Sequence, residues 1–219
     1  MPKVTDEYLS GKRNFILECT EEVLNEKPLY LITMRDIIKQ AGFSQGVIYR
    51  YYSSIDEIYV DFINRYTADT DLEQRLNTIL TSDQPETTVI FEYFEVMGEY
   101  IADLLNSPAG KPIFELLILY SSDHKRRNEV FPKLRFKQNL EYLQNKIVQY
   151  ALINMEKGVF RFKVPFHSLM SFVSVFIDGV AQSVVFNATE GNSYGSTLAA
   201  DIPEMFKILA QAVVGFLEI

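Results

Sequence analysis

Ile32-Thr-Met-Arg-Asp-Ile-Ile-Lys-Gln-Ala-Gly-Phe-Ser-Gln-Gly-Val-Ile-Tyr-Arg-Tyr-Tyr52 is the stretch that decides the fold. Thr33 offers a side-chain oxygen at a helix N-cap, Asp36 stands three residues on in the capping-box place, and Ile32 precedes the cap as a hydrophobic staple. Met34, Ile37, Ile38 and Ala41 then form one apolar face, and Gly42 follows as the left-handed residue that ends a helix without strain. Ser44 offers a cap to a further helix, in which Ile48 and Tyr52, four apart, supply one buried side. Gln45, Gly46, Val47, Tyr49 and Arg50 are left on the rest of its surface. Helix, short turn, helix has a well-defined physical use: the first helix braces across a sugar-phosphate backbone while the start of the second enters the major groove.

The local chemistry agrees with that use. Arg35 lies near the start of the bracing helix, where its fork reaches a phosphate or a guanine edge. Gln45 brings an amide to pair with a base edge, Gly46 allows close approach, and Val47 brings methyl groups to meet a thymine methyl. Tyr49, Arg50 and Tyr51 donate to phosphates flanking the groove. Arg35, Lys39 and Arg50 against Asp36 make residues 33–52 locally basic in a chain of net charge −8. That overall charge argues against a protein that coats nucleic acid nonspecifically, and leaves room for one DNA-reading surface.

Working outward, apolar residues recur at three and four spacings almost everywhere, so the 219-residue chain reads as all-α, with about nine helices. Phe15, Ile16, Cys19, Val23 and Leu24 mark a first helix over 6–26, ended by Lys27-Pro28. A linking helix covers 55–66. Helices are expected over 85–106, 113–120 and from the loop Ser121–Arg127 to Lys157, where Gly158 closes the last. A largely apolar helix covers 166–188, and Asp201 with Glu204 forms a capping box for a final helix over 202–217. The expected organisation is a helix-turn-helix DNA-binding domain at 1–54 and a helical ligand-binding and dimerisation domain at 55–219.

The stretch 32–52, continued through Asp56-Glu-Ile-Tyr59, resembles the tetracycline-repressor (TetR) family of bacterial transcription regulators. The order of threonine cap, alanine-glycine turn, serine-x-glycine start and tyrosine-x-tyrosine-aromatic finish carries the resemblance. It covers about the first 65 residues, and the family's layout extends loosely to the end. By position it implies DNA contacts from Thr33, Arg35, Gln45, Gly46, Val47, Tyr49 and Tyr51, with Arg50 where the family varies. One departure stands out: the lysine that usually opens the fourth helix is replaced by Ile55, which removes one phosphate contact per subunit. The resemblance further implies a ligand-responsive regulator, a repressor, that binds a near-palindromic operator as a dimer and is released by a small hydrophobic or aromatic effector.

For the effector, the candidate lining is Phe94, Met97, Tyr100, Phe114, Tyr120, Tyr142 and Phe176, within a domain rich in adaptable apolar side chains. For pairing, the helices at 166–188 and 202–217 are apolar on most sides. Two copies packing them into a four-helix bundle would use Phe172, Phe176, Asp178, Gly179, Met205, Leu209, Val213 and Phe216. Asp178 also has the alternative of anchoring a ligand. Cys19, the single cysteine, is read as a small buried hydrophobe; it excludes an intrachain disulfide and fits a reducing, cytoplasmic compartment. The opening residues do not read as a signal peptide, and Asp178 in the middle of 169–186 argues against a membrane span. His124 is read as a solvated loop residue and His167 as a partly buried one; neither has a second histidine at ligand spacing, so no metal and no cofactor is expected. No catalytic motif such as GxSxG or HExxH occurs, so an enzyme is not expected. The competing reading is a helical small-molecule-binding protein with a degenerate DNA-binding domain.

Overall fold

The computed structural model describes residues 6–67, 71–189 and 193–218, with side chains described at 8–67, 71–183 and 201–218. The start of the chain and the side chains at the end of the 166–188 helix lie outside these residues. Among them the fold is all-α: α1 (Asp6–Glu26), α2 (Met34–Ala41), α3 (Gln45–Ile48), α4 (Ile55–Tyr66), α5 (Leu72–Leu80), α6 (Glu86–Asn106), α7 (Gly110–Ser121), α8 (His124–Val130), α9 (Arg135–Glu156), α10 (Phe166–Thr189) and α11 (Ser193–Gly215). Two short 3-10 turns, Leu29–Leu31 and Phe131–Lys133, join α1 to α2 and α8 to α9. An isolated antiparallel bridge pairs Phe162 with Leu217.

Eleven α-helices therefore replace the nine or so expected. Helix α5 escaped the reading because its apolar residues, Leu72, Leu76, Ile79 and Leu80, are few. The segment 121–127 is not a loop: Asp123 caps α8, its side chain accepting the Arg126 N–H at 3.0 Å. Pro132 then interrupts the chain with a 3-10 turn, so α9 starts afresh at Arg135. The box expected at Asp201 and Glu204 is not a helix start either, since α11 begins at Ser193 and carries Pro203 inside it. Helix α3 is a single turn, continued by the turn residues 49–51, and the Ser44 side chain makes no capping hydrogen bond.

The chain packs as two compact units, Met1–Ala68 with Pro108–Lys137 and Asp69–Ser107 with Gln138–Ile219. In the first, Ile16, Ile37, Ile48, Ile58 and Ile63 are fully buried, so one face each of α1, α2, α3 and α4 closes on a common centre. Burial of each such side chain contributes roughly 1.5–3 kcal/mol before entropy is counted. Phe15, expected on the apolar stripe of α1, is exposed and instead lies beside the Phe43 ring at 5.4 Å. Cys19 is buried as expected, and loss of solvent pushes its thiol pKa up. In the second unit α6 is the axis, with Tyr93, Phe94, Met97 and Ile101 buried together with Phe206, Leu209 and Ala210 of α11. No helix among the described residues is long and apolar enough to cross a membrane.

Candidate nucleic-acid interface

The reading unit is assembled from short-range devices. At the start of α2 the Asp36 carboxylate accepts the Thr33 N–H at 2.9 Å and the Thr33 hydroxyl at 2.7 Å, and pairs with Lys27. Gly42, at φ 64°, takes the left-handed place at the end of α2. The Lys27 ammonium and the Thr33 donors hold the Asp36 pKa down to about 2. A carboxylate depressed in this way stabilises the fold above its unfolded pKa of about 4, and that stability is lost as pH falls towards 2. Asp36→Asn should therefore cost about 1 kcal/mol at pH 7, its partial exposure keeping the loss small, and the cost should fade as pH falls through about 2. Urea unfolding of both proteins at several pH values checks this, and a difference as large at pH 2 as at pH 7 would assign the loss to packing.

With the frame buried, the candidate contact residues stand outside it. Thr33, Arg35, Gln45, Gly46, Tyr49 and Arg50 are exposed, and Val47 and Tyr51 are half-buried. Tyr52 closes the far end: it is buried, its hydroxyl donates to Asp61 of α4 at 2.7 Å, and Arg13 of α1 lies over its ring at 5.5 Å. Burial and the neighbouring carboxylate push the Tyr52 phenol pKa well up. Helix α4 is started by Ser54, whose hydroxyl accepts the Glu57 N–H at 3.3 Å, while the Glu57 carboxylate accepts the Ser53 N–H at 2.6 Å and its hydroxyl at 2.8 Å. Those donors from Ser53 lower the Glu57 pKa. Ile55, where a lysine would add a phosphate contact, is half-buried in the first turn.

The sequence reading did not find the segment that holds this unit in place. Residues 108–137 fasten it at three points. The Glu115 carboxylate of α7 accepts the Leu29 N–H at 2.7 Å, and the Tyr59 hydroxyl of α4 donates to the Leu29 carbonyl at 3.0 Å. Asp56, at the start of α4, accepts from the Tyr120 hydroxyl and from Arg126 through Nε at 3.1 Å and through Nη2. The Arg126 guanidinium also lies over the Tyr120 ring at 4.5 Å. At the other end of α4, the Asn64 amide donates to the Lys133 carbonyl at 2.9 Å and accepts the Arg135 N–H at 2.8 Å. Burial and Asp56 push the Tyr120 phenol pKa up, so it stays a donor. The local hint was the basic run Lys125-Arg126-Arg127 a few residues after Tyr120.

The other candidate residues divide between the two units. Phe114 and Tyr120 belong to the first, and Tyr120 is the Asp56 partner rather than a lining residue. Phe94, Met97 and Tyr100 are buried in the second unit's core, with Tyr142 and Phe176 packed against it. Of the expected pairing residues, Leu209 and Val213 point into that core, Phe176, Met205 and Phe216 are half-buried, and Phe172, Asp178 and Gly179 are exposed. Val175 and Ile208, 70% and 56% exposed, join the outward set. A groove of about 440 Å³ lined by Asp71, Gln74, Arg75, Thr78, Ile79, Glu92, Glu95 and Val96 is largely polar. His124 is exposed at the start of α8, its Nδ1 2.9 Å from Arg127, and His167 is exposed rather than partly buried because it begins α10 on the outer side. No group of three metal-binding side chains occurs among the described residues.

A buried three-helix frame presenting an exposed polar helix start defines a helix-turn-helix DNA-binding protein. Residues 16–61 match the family model described as bacterial regulatory proteins, tetR family. The uncharacterised HTH-type transcriptional regulator YfiR of Bacillus subtilis is 26% identical over 188 residues, which cover 84% of this chain and 85% of that protein. A TetR transcription regulator from Haloarcula marismortui shares the fold at TM-score 0.59 and 17% identity, covering 95% of this chain and all of that one. FadR of Bacillus subtilis, solved in complex with stearoyl-CoA, is similar at TM-score 0.55 and 15% identity over 91% and 98% of the two chains. The helix-turn-helix unit of this chain is thus similar to the DNA-binding region of TetR-family regulators.

Proposed function

We propose that this protein is a transcriptional regulator of the TetR family, a cytoplasmic repressor that binds a near-palindromic operator as a homodimer and is released by a small hydrophobic or aromatic effector. The observation that carries the reading is the exposure of Thr33, Arg35, Gln45, Gly46, Tyr49 and Arg50 on a frame whose apolar side is buried. Arg35 and Gln45 read base edges, Gly46 and Val47 allow close approach, and Thr33, Tyr49, Arg50 and Tyr51 hold phosphates. Fluorescence anisotropy on an operator selected from genomic fragments tests this with two variants. Tyr49→Phe should lower affinity for all sequences alike, whereas Arg35→Ala should also relax specificity, by about 1–3 kcal/mol at one base pair. Equal losses on operator and random DNA for Arg35→Ala would assign that side chain to the backbone.

Pairing is supported by the outward apolar residues of the second unit. Phe172 and Val175 on α10 and Ile208 on α11 are exposed, with Gly179 one turn beyond Val175. An isologous contact there presents two reading helices to one duplex, one turn or a multiple apart. Val175→Glu with Ile208→Glu should give a folded monomer in light scattering and lose operator binding. A dimer that survives both changes would place the interface elsewhere.

Release by an effector is supported by the buried aromatic side of α6 and by the way the bracing segment 108–137 continues directly into α6 and α9 at its two ends. FadR of Bacillus subtilis, which shares the fold, was solved in complex with stearoyl-CoA. The effector must bind the DNA-incompetent form more tightly, since equal affinity for both forms shifts nothing. Operator then weakens effector binding by the same factor as effector weakens operator binding.

A further inference from the structure

Among the described residues of the second unit, the phenolic hydroxyls of Tyr93 and Tyr142 are buried without a hydrogen-bond partner, and that of Tyr100 is buried with the Asn139 side chain beside it. Tyr93 is wholly inaccessible and Tyr100 is 7% exposed. A buried hydroxyl that gives up water and finds no partner costs stability, and native proteins hold few. Buried phenols of this kind gathered in a single unit therefore point to a function. Their placement is ordered. Tyr93, Met97 and Tyr100 stand at i, i+4 and i+7 on α6, so they share one face over two turns, roughly 10 Å. Asn139 of α9 lies beside Tyr100, whose phenol pKa burial pushes up to about 12 and Asn139 draws partly back. Tyr142 follows Asn139 by three residues on the same face of α9.

The surroundings limit what these hydroxyls serve. Burial alone raises the Tyr93 phenol, with no charged group contributing. The one buried polar residue described in this unit is Asn154, and its amide is already used by the Tyr150 carbonyl at 2.9 Å. Among the described residues of this unit no cation and no carboxylate is buried, and the half-buried Lys146 ammonium lies over the Tyr142 ring at 5.2 Å without bonding its hydroxyl. A charged ligand group would lose its hydration there without compensation. A neutral acceptor oxygen would be well served by phenolic donors.

We propose that Tyr93, Tyr100 and Tyr142 are the polar anchor of the effector site, donating to the carbonyl or ether oxygens of an uncharged, mainly apolar ligand such as a ketone, ester or quinone. Met97 and Phe94 lie along its apolar body. The assignment rests on the effector-released reading above and narrows it to a ligand class.

Two measurements on the full-length protein test it. Tyr93→Phe and Tyr142→Phe each remove an unpaired hydroxyl and should raise the melting temperature of the ligand-free protein by about 2–4 °C. A lower melting temperature in either variant means that the hydroxyl is satisfied within the fold, and overturns the proposal. Calorimetric titration then uses three probes of one shape: 2-acetylnaphthalene, 2-ethylnaphthalene and 2-naphthoate. The wild type should bind the ketone about tenfold or more tightly than either of the others. In the variant Tyr93→Phe with Tyr100→Phe and Tyr142→Phe, the advantage over 2-ethylnaphthalene should shrink to within about twofold. A wild type that binds none of the three, ranks the carboxylate first, or keeps its preference in the triple variant overturns the proposal. The ketone bound with this preference but without effect on operator affinity would leave the hydroxyl site standing and overturn the effector-release reading instead.

Discussion

Gly98→Val should destabilise the protein by about 3 kcal/mol or more. A Cβ built at Gly98 would lie 2.8 Å from Cβ of Phe206 and 3.0 Å from its Cγ. These are the near atoms of a fully buried ring, so no rotamer change relieves the overlap and the helices α6 and α11 must move apart. Such a shift would open the core that holds Met97, Leu209 and Ala210. Gly98→Ala should cost less, about 1–2 kcal/mol, because one methyl needs a smaller shift. Gly11 is the contrasting case: exposed on α1, with nothing within 4 Å of a Cβ there, it should gain about 0.5–1 kcal/mol on change to alanine. Urea unfolding of the three variants measures the ordering, and a Gly98→Val protein as stable as wild type would refute the close crossing of α6 and α11.

The second large effect is expected at the start of α4. Arg126→Ala leaves the Asp56 carboxylate with Tyr120 alone, and should cost about 1–2 kcal/mol, the partial exposure of the arginine keeping it below the loss for a fully buried pair. Asp56→Ala strands both the guanidinium and the phenol and should cost more. A double-mutant cycle over the two positions should return a coupling of about 1 kcal/mol or above. The consequence for DNA is indirect. Asp56 opens the helix that carries Tyr52's partner Asp61, so loosening it should tilt the reading helix and lower operator affinity about tenfold. Because neither residue is among the phosphate donors, the slope of log affinity against log salt should not change. A flatter slope in Arg126→Ala would show that the guanidinium reaches DNA itself.

These two cases mark where reading the chain succeeds and where it stops. The helix-turn-helix was legible because every device in it is local: Thr33 caps with Asp36 three residues on, Gly42 turns at its own φ, and Ile48 and Tyr52 are phased by the helix itself. Capping energies and helical period act over one or two turns, so the residues that need each other are neighbours in sequence. The exposure of Arg35, Gln45, Gly46 and Tyr49 follows from the same period. Beyond that range the reading lost resolution. The short amphipathic α5 and the capped α8 went unseen, and Asp201 looked like a helix start although α11 already runs through it.

What the sequence alone determined is the all-helical class, the helix-turn-helix and the outward placement of its candidate contact residues. Tertiary structure alone decided which partner each remaining side chain found. Asp56 meets Arg126 across 70 residues, Leu29 meets Glu115 across 86, and Gly98 receives Phe206 from the last helix. It also decided that residues 108–137 brace the reading unit, and that Leu209 and Val213 turn inward while Val175 and Ile208 turn out. An amphipathic period says that a helix has an apolar face but not which element covers it, and on a helix apolar nearly all round the phase itself is undefined. Long-range pairs form only when the chain has closed its loops and packed, so no local pattern records them.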